Sequence, residues 1–262
     1  MRFDVMTLFV EMCQTILEES ILGRAQKNDK LSCYVHNIRD YAENKHNRID
    51  DTLYGGGRGM LMMAAPIYRC YEDIVATSGS RPHVIYMSPQ GKTLTQQRAK
   101  ELSEMPHIAV LCGHYEGVDE RVLEKIVDEE ISVGDYVLTG GELPAMILID
   151  AVARLCPGVL AEDSCFEEES HWNGLLEYPQ YTKPAVWEGM EVPEVLLSGH
   201  HANIEKWRRQ MSLKRTWEKR PELMEKAELT SKDRLYLREN FGTEQPELEN
   251  FRKFLAKEQE NS

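Results

Sequence analysis

Three short stretches end strand-like runs in glycine or another small residue: IYMSPQG (85–91), LCGHYEGVDER (111–121) and VGDYVLTGGELP (133–144). In an open parallel sheet, ligands sit beyond the carboxyl ends of the strands. Three such turns can therefore make one pocket of exposed backbone N–H and C=O groups, a surface suited to the edge of an adenine. The surround is acidic, with Glu116, Asp119, Glu120, Asp135 and Glu142. Glu142 opens a helix directly after Gly140 and Gly141. There it complements the positive end of the helix dipole, but it would also repel a pyrophosphate. A ligand with an adenosine body, a positive charge and no phosphate escapes that repulsion, and S-adenosylmethionine, a sulfonium, is such a ligand.

The glycine motifs of nucleotide binding do not fit. YGGGRGMLM (54–62) lacks both the strand-turn-helix setting and the downstream ribose acid of a dinucleotide fold. It reads as a turn needing positive φ, or as a backbone surface that something flat can approach closely. QGKT (90–93) has the end of a P-loop, but Tyr86 stands where its first glycine belongs.

The elements that must position these turns alternate over the first 160 residues. FDVMTLFV, LSCYVHNI, HVIYMSPQ, HIAVLCGHY and ISVGDYVL read as strands; ESILGRAQKN, PIYRCYEDIVATSG, LTQQRAKELSE, DERVLEKIVDE and ELPAMILIDAVARL read as helices. Such alternation implies an α/β fold, a mostly parallel sheet with helices on both faces. From Ala161 the pattern lapses into polar, acid-rich sequence. The expected organisation is an α/β domain over residues 1–160, a mobile acidic linker over 161–174 and a small helical C-terminal domain over 175–262, whose only strand candidate is VPEVLLSG.

At 262 residues and 42% hydrophobic content the chain can bury a sizeable core in two unequal domains. No apolar run is long enough to span a bilayer, so no membrane partner is expected. Asp4 and Glu11 interrupt the N-terminus where a signal peptide would be continuous, which points to the cytoplasm. The six cysteines form no CxxC pair, so neither a disulfide framework nor a zinc ribbon is expected. Net charge is −13, yet IEKWRRQMSLKRTWEKR (204–220) is strongly basic and carries Trp207 and Trp217. It reads either as a nucleic-acid-binding face, with Lys206, Arg208, Arg209, Lys214 and Arg215 on phosphates, or as a solvated amphipathic helix with Ile204, Trp207, Met211 and Leu213 as its apolar stripe.

Several longer motifs, taken in order, carry a resemblance: DDTLYGGGRGMLM, SPQGKTLTQ, LCGHYEGVDERV, DEEISVGDYVLTGGELPAMILIDAVARLCPGVL, GLLEYPQYTKP and VPEVLLSGHHANIEKWR. Together they resemble the bacterial tRNA (guanine-37-N1)-methyltransferases, the TrmD type of the SPOUT methyltransferases. The resemblance runs from Met1 to about Leu223 and implies a C-terminal trefoil knot in the α/β domain, with S-adenosylmethionine bent in the knot's loops. It also implies a tRNA substrate and a homodimer whose active site is shared across the interface. By matching position it places Tyr86, Ser88, Pro89, Gly113, Glu116, Val133, Gly134, Tyr136, Leu138, Gly140 and Gly141 at the cofactor, and Asp135 and Val137 belong to the same loop. A magnesium requirement is implied too, with Glu116 and Glu169 as candidate ligands or outer-sphere contacts, although no metal motif is present.

The implied reaction needs a base for the guanine N1 proton, a cation or donor facing O6, and a methyl group in line with N1. Arg154 matches the family's candidate for the O6 charge; in its own right it reads as an arginine offsetting a helix C-terminus. The family's base is an aspartate in the linker, and this chain has Glu169 there, with Glu167 and Glu168 beside it. Two other readings stay open: a non-catalytic RNA-binding protein, and a SPOUT methyltransferase acting on a different nucleoside.

Overall fold

The computed structural model describes residues 1–162, 166 and 169–241. The chain forms two compact units, Met1–Asp163 and Ser164–Ser262. In the first, the order is β1 (Arg2–Thr7), α1 (Val10–Leu17), α2 (Ser20–Lys27), β2 (Ser32–Asn37), the short pair β3 (Asp50–Asp51) and β4 (Leu61–Met62), α3 (Ala64–Ser78), β5 (His83–Thr93), α4 (Gln96–Ser103), β6 (His107–Cys112), α5 (Glu120–Ile126), β7 (Glu129–Ser132) and α6 (Glu142–Ala153).

Five strands make a parallel sheet in the order β2-β1-β6-β5-β7. The centre falls to the most apolar strand: all six residues of β6, HIAVLC, are buried, as a strand covered on both faces requires. Side-chain alternation sorts the helices. Met6, Tyr86 and Leu111 join a core with Ile67, Cys70 and Ile74 of α3 and Val122 and Ile126 of α5. Thr7, one residue on and pointing the other way, reaches Glu142 at the head of α6. Helices therefore cover both faces, as the alternation predicts.

One buried polar cluster interrupts this core. Asp4 is fully buried on β1 and accepts hydrogen bonds from Arg2 (2.7 and 3.0 Å), His36 of β2 (2.6 Å) and His107 of β6 (2.7 Å). Burial alone would raise its pKa, but those three partners outweigh it and hold the carboxyl far below its ordinary value. The cluster ties β1 to both of its neighbours, β2 and β6.

Some expected elements are corrected. The strand read over FDVMTLFV stops at Thr7, whose Oγ1 accepts from Phe9 N (2.9 Å) and turns the chain into α1, a helix hidden in sequence by the preceding apolar run. ISVGDYVL is a strand only to Ser132. Ser132 Oγ accepts from Gly134 N (3.1 Å), and Gly134 takes φ of +149°, which ends the pleat. VPEVLLSG is no strand: Glu194–Leu197 forms a helical turn.

In the second unit a hairpin, β8 (Val186–Trp187) and β9 (Met190–Glu191), turns at Glu188 and Gly189, followed by α7 (Glu194–Leu197), α8 (His201–Lys219) and α9 (Ser231–Phe241). Leu213 and Trp217 of α8 close a small core with Leu175, Met224 and Leu237. Thr230 and Asp233 cap α9 reciprocally: Thr230 N and Oγ1 donate to Asp233 Oδ2 (both 2.8 Å) and Asp233 N donates to Thr230 Oγ1 (3.2 Å). Among the described residues, no helix is long and apolar enough to cross a membrane.

Candidate active site

A cavity of about 370 Å³ opens beyond the carboxyl ends of β5, β6 and β7, lined by residues from 86–90, 113–123 and 130–144. Each strand leaves its ladder differently to make it. In β5, pairing with β7 breaks between Met87 and Lys92, so Ser88 to Gly91 bow out before Lys92 pairs again with Ile131. Gly91 permits this, because a Cβ there would stand 2.4 Å from the carbonyl carbon of Glu130. After β6 comes Gly113, where a side chain would meet the Tyr86 hydroxyl at 2.8 Å.

From β7, the sheet's edge, the chain crosses back to the end of β6, two strands away. Gly141 N donates to Gly113 O (2.8 Å), and His114 bridges to Gly140. Neither Gly140 nor Gly141 has positive φ. These two glycines serve close approach, since a Cβ on Gly140 would lie 2.7 Å from His114 Nδ1 and one on Gly141 2.7 Å from Cys112 Cα.

Of the residues expected at the cofactor, Tyr86, Ser88, Pro89, Gly113, Glu116, Val133, Gly134, Tyr136, Val137, Leu138, Gly140 and Gly141 line this cavity. Asp135 is outside the lining. The acidic surround is real but differently composed. Glu116 and Glu120 line the cavity, whereas Glu142 is buried against Thr7 (2.8 Å) and Asp119 caps α5 through Arg121 N (3.0 Å). Glu130 lines the cavity and escaped the sequence reading. The signal was available, because adjacent Glu129 and Glu130 on a strand must face opposite ways. Among the described residues, no lysine or arginine lines the cavity.

Tyr86 is 9% exposed, and burial, with Glu130 and Glu120 nearby, pushes its hydroxyl up to about 12. It therefore stays protonated as a donor. Burial also pushes the Cys112 thiol, at the end of β6, well above its usual range, and Cys13 up to about 11. Neither is a thiolate near neutral pH. A larger hollow of about 710 Å³ lies beside Leu61, but its charged groups are already engaged: Arg121 pairs with Asp119 (2.6 Å) and Lys125 sits 4.1 Å over the Tyr68 ring.

The remaining expected residues lie elsewhere. Arg154 is half-buried at the C-cap of α6, in the first unit, and Glu169 is half-buried in the second. Glu167 and Glu168 lie outside the described residues. On α8, Lys206 and Lys214 are exposed, with Lys214 3.9 Å from Glu218. Arg208 stacks 4.8 Å over Tyr178, and Arg215 donates to Glu177 O (3.2 Å). Arg209 forks onto Asp233 (2.9 and 3.2 Å). The segment is thus partly basic face and partly framework, with Leu213 and Trp217 buried. Among the described residues, no group of three or more His, Cys, Asp or Glu could hold a metal ion.

A family model described as tRNA (Guanine-1)-methyltransferase TrmD matches residues 1–226. Curated relatives named tRNA (guanine-N(1)-)-methyltransferase include one from Ruminiclostridium cellulolyticum, 62% identical over 226 residues, covering 86% of this chain and 97% of that protein. Another, from Lachnospira eligens, is 58% identical, covering 86% and 95%. A third, from Desulforamulus reducens, is 55% identical over 240 residues, covering 91% and 94%.

Proposed function

The chain belongs to the tRNA (guanine-1)-methyltransferase TrmD family, and from that premise we propose that it methylates N1 of the guanosine at position 37 of tRNA, next to the anticodon, using S-adenosylmethionine and giving 1-methylguanosine. The observation that carries this reading is the strand-end cavity walled, among the described residues, by three carboxylates and no lysine or arginine. Its walls repel the phosphates of a nucleotide cofactor and suit an adenosine that carries a positive charge. The strand-end glycines and Ser88 offer backbone groups to the adenosine, and the protonated Tyr86 hydroxyl offers a donor.

When bound, the sulfonium supplies an electrophilic methyl group. The chain's own residues do the rest. Glu169 accepts the N1 proton, which makes N1 nucleophilic, and Arg154 faces the negative charge that develops on O6. α8 presents Lys206 and Lys214 to phosphates, with Arg208, Arg209 and Arg215 behind them, and the second unit is the tRNA-binding domain. The trefoil knot belongs to the same reading. Its support is the return of the chain from β7 across β5 to the end of β6, sealed by Gly141 on Gly113.

A homodimer fits an apolar patch on the first unit. Phe9 at the N-cap of α1, Met12 and Ile16 within it, and Leu143 and Ile147 of α6 are 38–47% exposed, and the two helices pack side by side. A second copy would cover a surface of this kind. Magnesium, with Glu116 and Glu169 as candidate ligands or outer-sphere contacts, belongs to the same reading; one or two carboxylates with waters and substrate oxygens would hold it, since among the described residues no group of three or more His, Cys, Asp or Glu could do so alone. A tRNA substrate places the reaction in the cytoplasm.

The test is transfer of labelled methyl from S-adenosylmethionine to an unmodified tRNA transcript with guanosines at 36 and 37, followed by mapping of the product. Label in 1-methylguanosine at 37, absent when that base is adenosine, is the expected result. Tight tRNA binding without transfer would instead make the chain a binding protein, and label on another nucleoside would reassign the substrate.

A further inference from the structure

β7 presents two consecutive acids to opposite faces of the sheet, and they meet opposite fates. Glu129 is held by His83 (2.9 Å) and by both ends of the Arg98 guanidinium (2.6 and 3.2 Å). Glu130, half-buried on the cavity side and in register with Tyr86 on β5, has no ion pair or hydrogen bond among the described residues. The Tyr86 hydroxyl beside it is likewise without a hydrogen bond there, although the residue is only 9% exposed. Both groups face the cavity, where a bound ligand can supply the counter-charge and the acceptor that the fold does not. Glu116 differs, since its carboxylate packs against the Gly59 turn, where a Cβ would stand 2.5 Å from Oε1.

We propose that Glu130, supported by Glu120 in the first turn of α5, is the charge selector of the cavity: it makes the site hold an adenosine ligand bearing a positive charge more tightly than the neutral thioether that remains after methyl transfer. This rests on the cavity being the cofactor site. The sulfonium loses its charge as the methyl leaves, so the same carboxylate that retains the donor lets the spent cofactor go. Tyr86, protonated under the influence of both acids, donates to the ligand without contributing charge.

Calorimetry with S-adenosylmethionine, the amine analogue sinefungin and S-adenosylhomocysteine, on wild type, Glu130→Gln, Glu120→Gln and Glu124→Gln, tests this. Glu124 is exposed on α5 and off the lining. Glu130→Gln is expected to weaken the two cationic ligands about tenfold, the order of one charge pair in a partly solvated cavity, while the neutral thioether changes less than about twofold. Glu120→Gln follows in the same direction with a smaller change, and Glu124→Gln leaves all three alone. Independently of any variant, the wild-type preference for the cations over the thioether narrows as salt is raised. An unchanged cation-to-thioether ratio in folded Glu130→Gln, or a wild-type ratio indifferent to salt, overturns the selector and leaves the cofactor site standing. Failure of wild type to bind any of the three overturns both.

Discussion

Gly141 donates its backbone N–H to the carbonyl of Gly113 at 2.8 Å, and this contact joins the loop after the edge strand to the end of the central one. Any Cβ on Gly141 would stand 2.7 Å from Cys112 Cα and 2.9 Å from Gly113 N, backbone atoms that cannot swing aside. Gly141→Ala is therefore expected to lower stability by about 1–3 kcal/mol, as overpacking does, and to weaken S-adenosylhomocysteine at least about tenfold by opening the cavity wall. Gly57→Ala, whose nearest neighbour is Leu53 at 3.9 Å, serves as the control. Urea unfolding and calorimetry on both variants decide the matter; a Gly141→Ala protein matching wild type in both would mean that the seam tolerates a side chain.

Asp4 makes a pH prediction. Its pKa is depressed in the folded chain, so its stabilising contribution is fully present above the unfolded value of about 4 and is lost as pH falls below that toward the folded value. Asp4→Asn should cost about 3 kcal/mol near neutral pH, because it leaves Arg2, His36 and His107 facing a neutral amide. It should also flatten the decline in stability below pH 4. Unfolding curves from pH 7 down to 2.5 for both proteins measure this, and parallel declines would assign the acid sensitivity to other carboxylates.

On α8 the basic residues separate into two kinds. Lys206→Ala with Lys214→Ala, both exposed, should reduce the slope of log affinity against log salt for tRNA by about 1.5 to 2, with cofactor affinity unchanged. Arg209→Ala should act mainly through the fold, since Asp233, the α9 cap, loses its ion pair; about 1–3 kcal/mol of second-unit stability is at stake. Equal salt slopes for the double variant and wild type would make α8 an ordinary solvated helix.

Catalysis is tested at Glu169 and Arg154. Glu169→Gln removes a proton acceptor while keeping size and hydrogen bonding, so single-turnover transfer should fall by about 100- to 10,000-fold with substrate affinities little changed. Glu169→Asp should keep substantial activity and Glu168→Gln should be nearly silent, whereas Arg154→Ala loses transfer through the uncompensated O6 charge. A dead Glu168→Gln beside an active Glu169→Gln would move the base by one position.

Much of the architecture was legible because it is local. Alternating strand and helix periods implied a parallel sheet, the unbroken apolar run HIAVLC marked its buried centre, and three strand-end turns marked a pocket with an acidic surround. Those features depend on neighbours a few residues apart. What only the tertiary structure decided depends on partners far away in the chain. Glu142 turned inward because Thr7, 135 residues earlier, receives it, and Glu130 took a place in the wall because β7 lies against β5. Gly140 and Gly141 stood in the sequence as a strand-end turn, yet their need is set by His114 against the first and by the backbone of Cys112 and Gly113 against the second. Arg209, basic in sequence, was claimed by Asp233 of another helix. Periodicity states which way a side chain points from its own element. It carries no information on which element it will find there, and charge and backbone contacts in this chain were settled by that second choice.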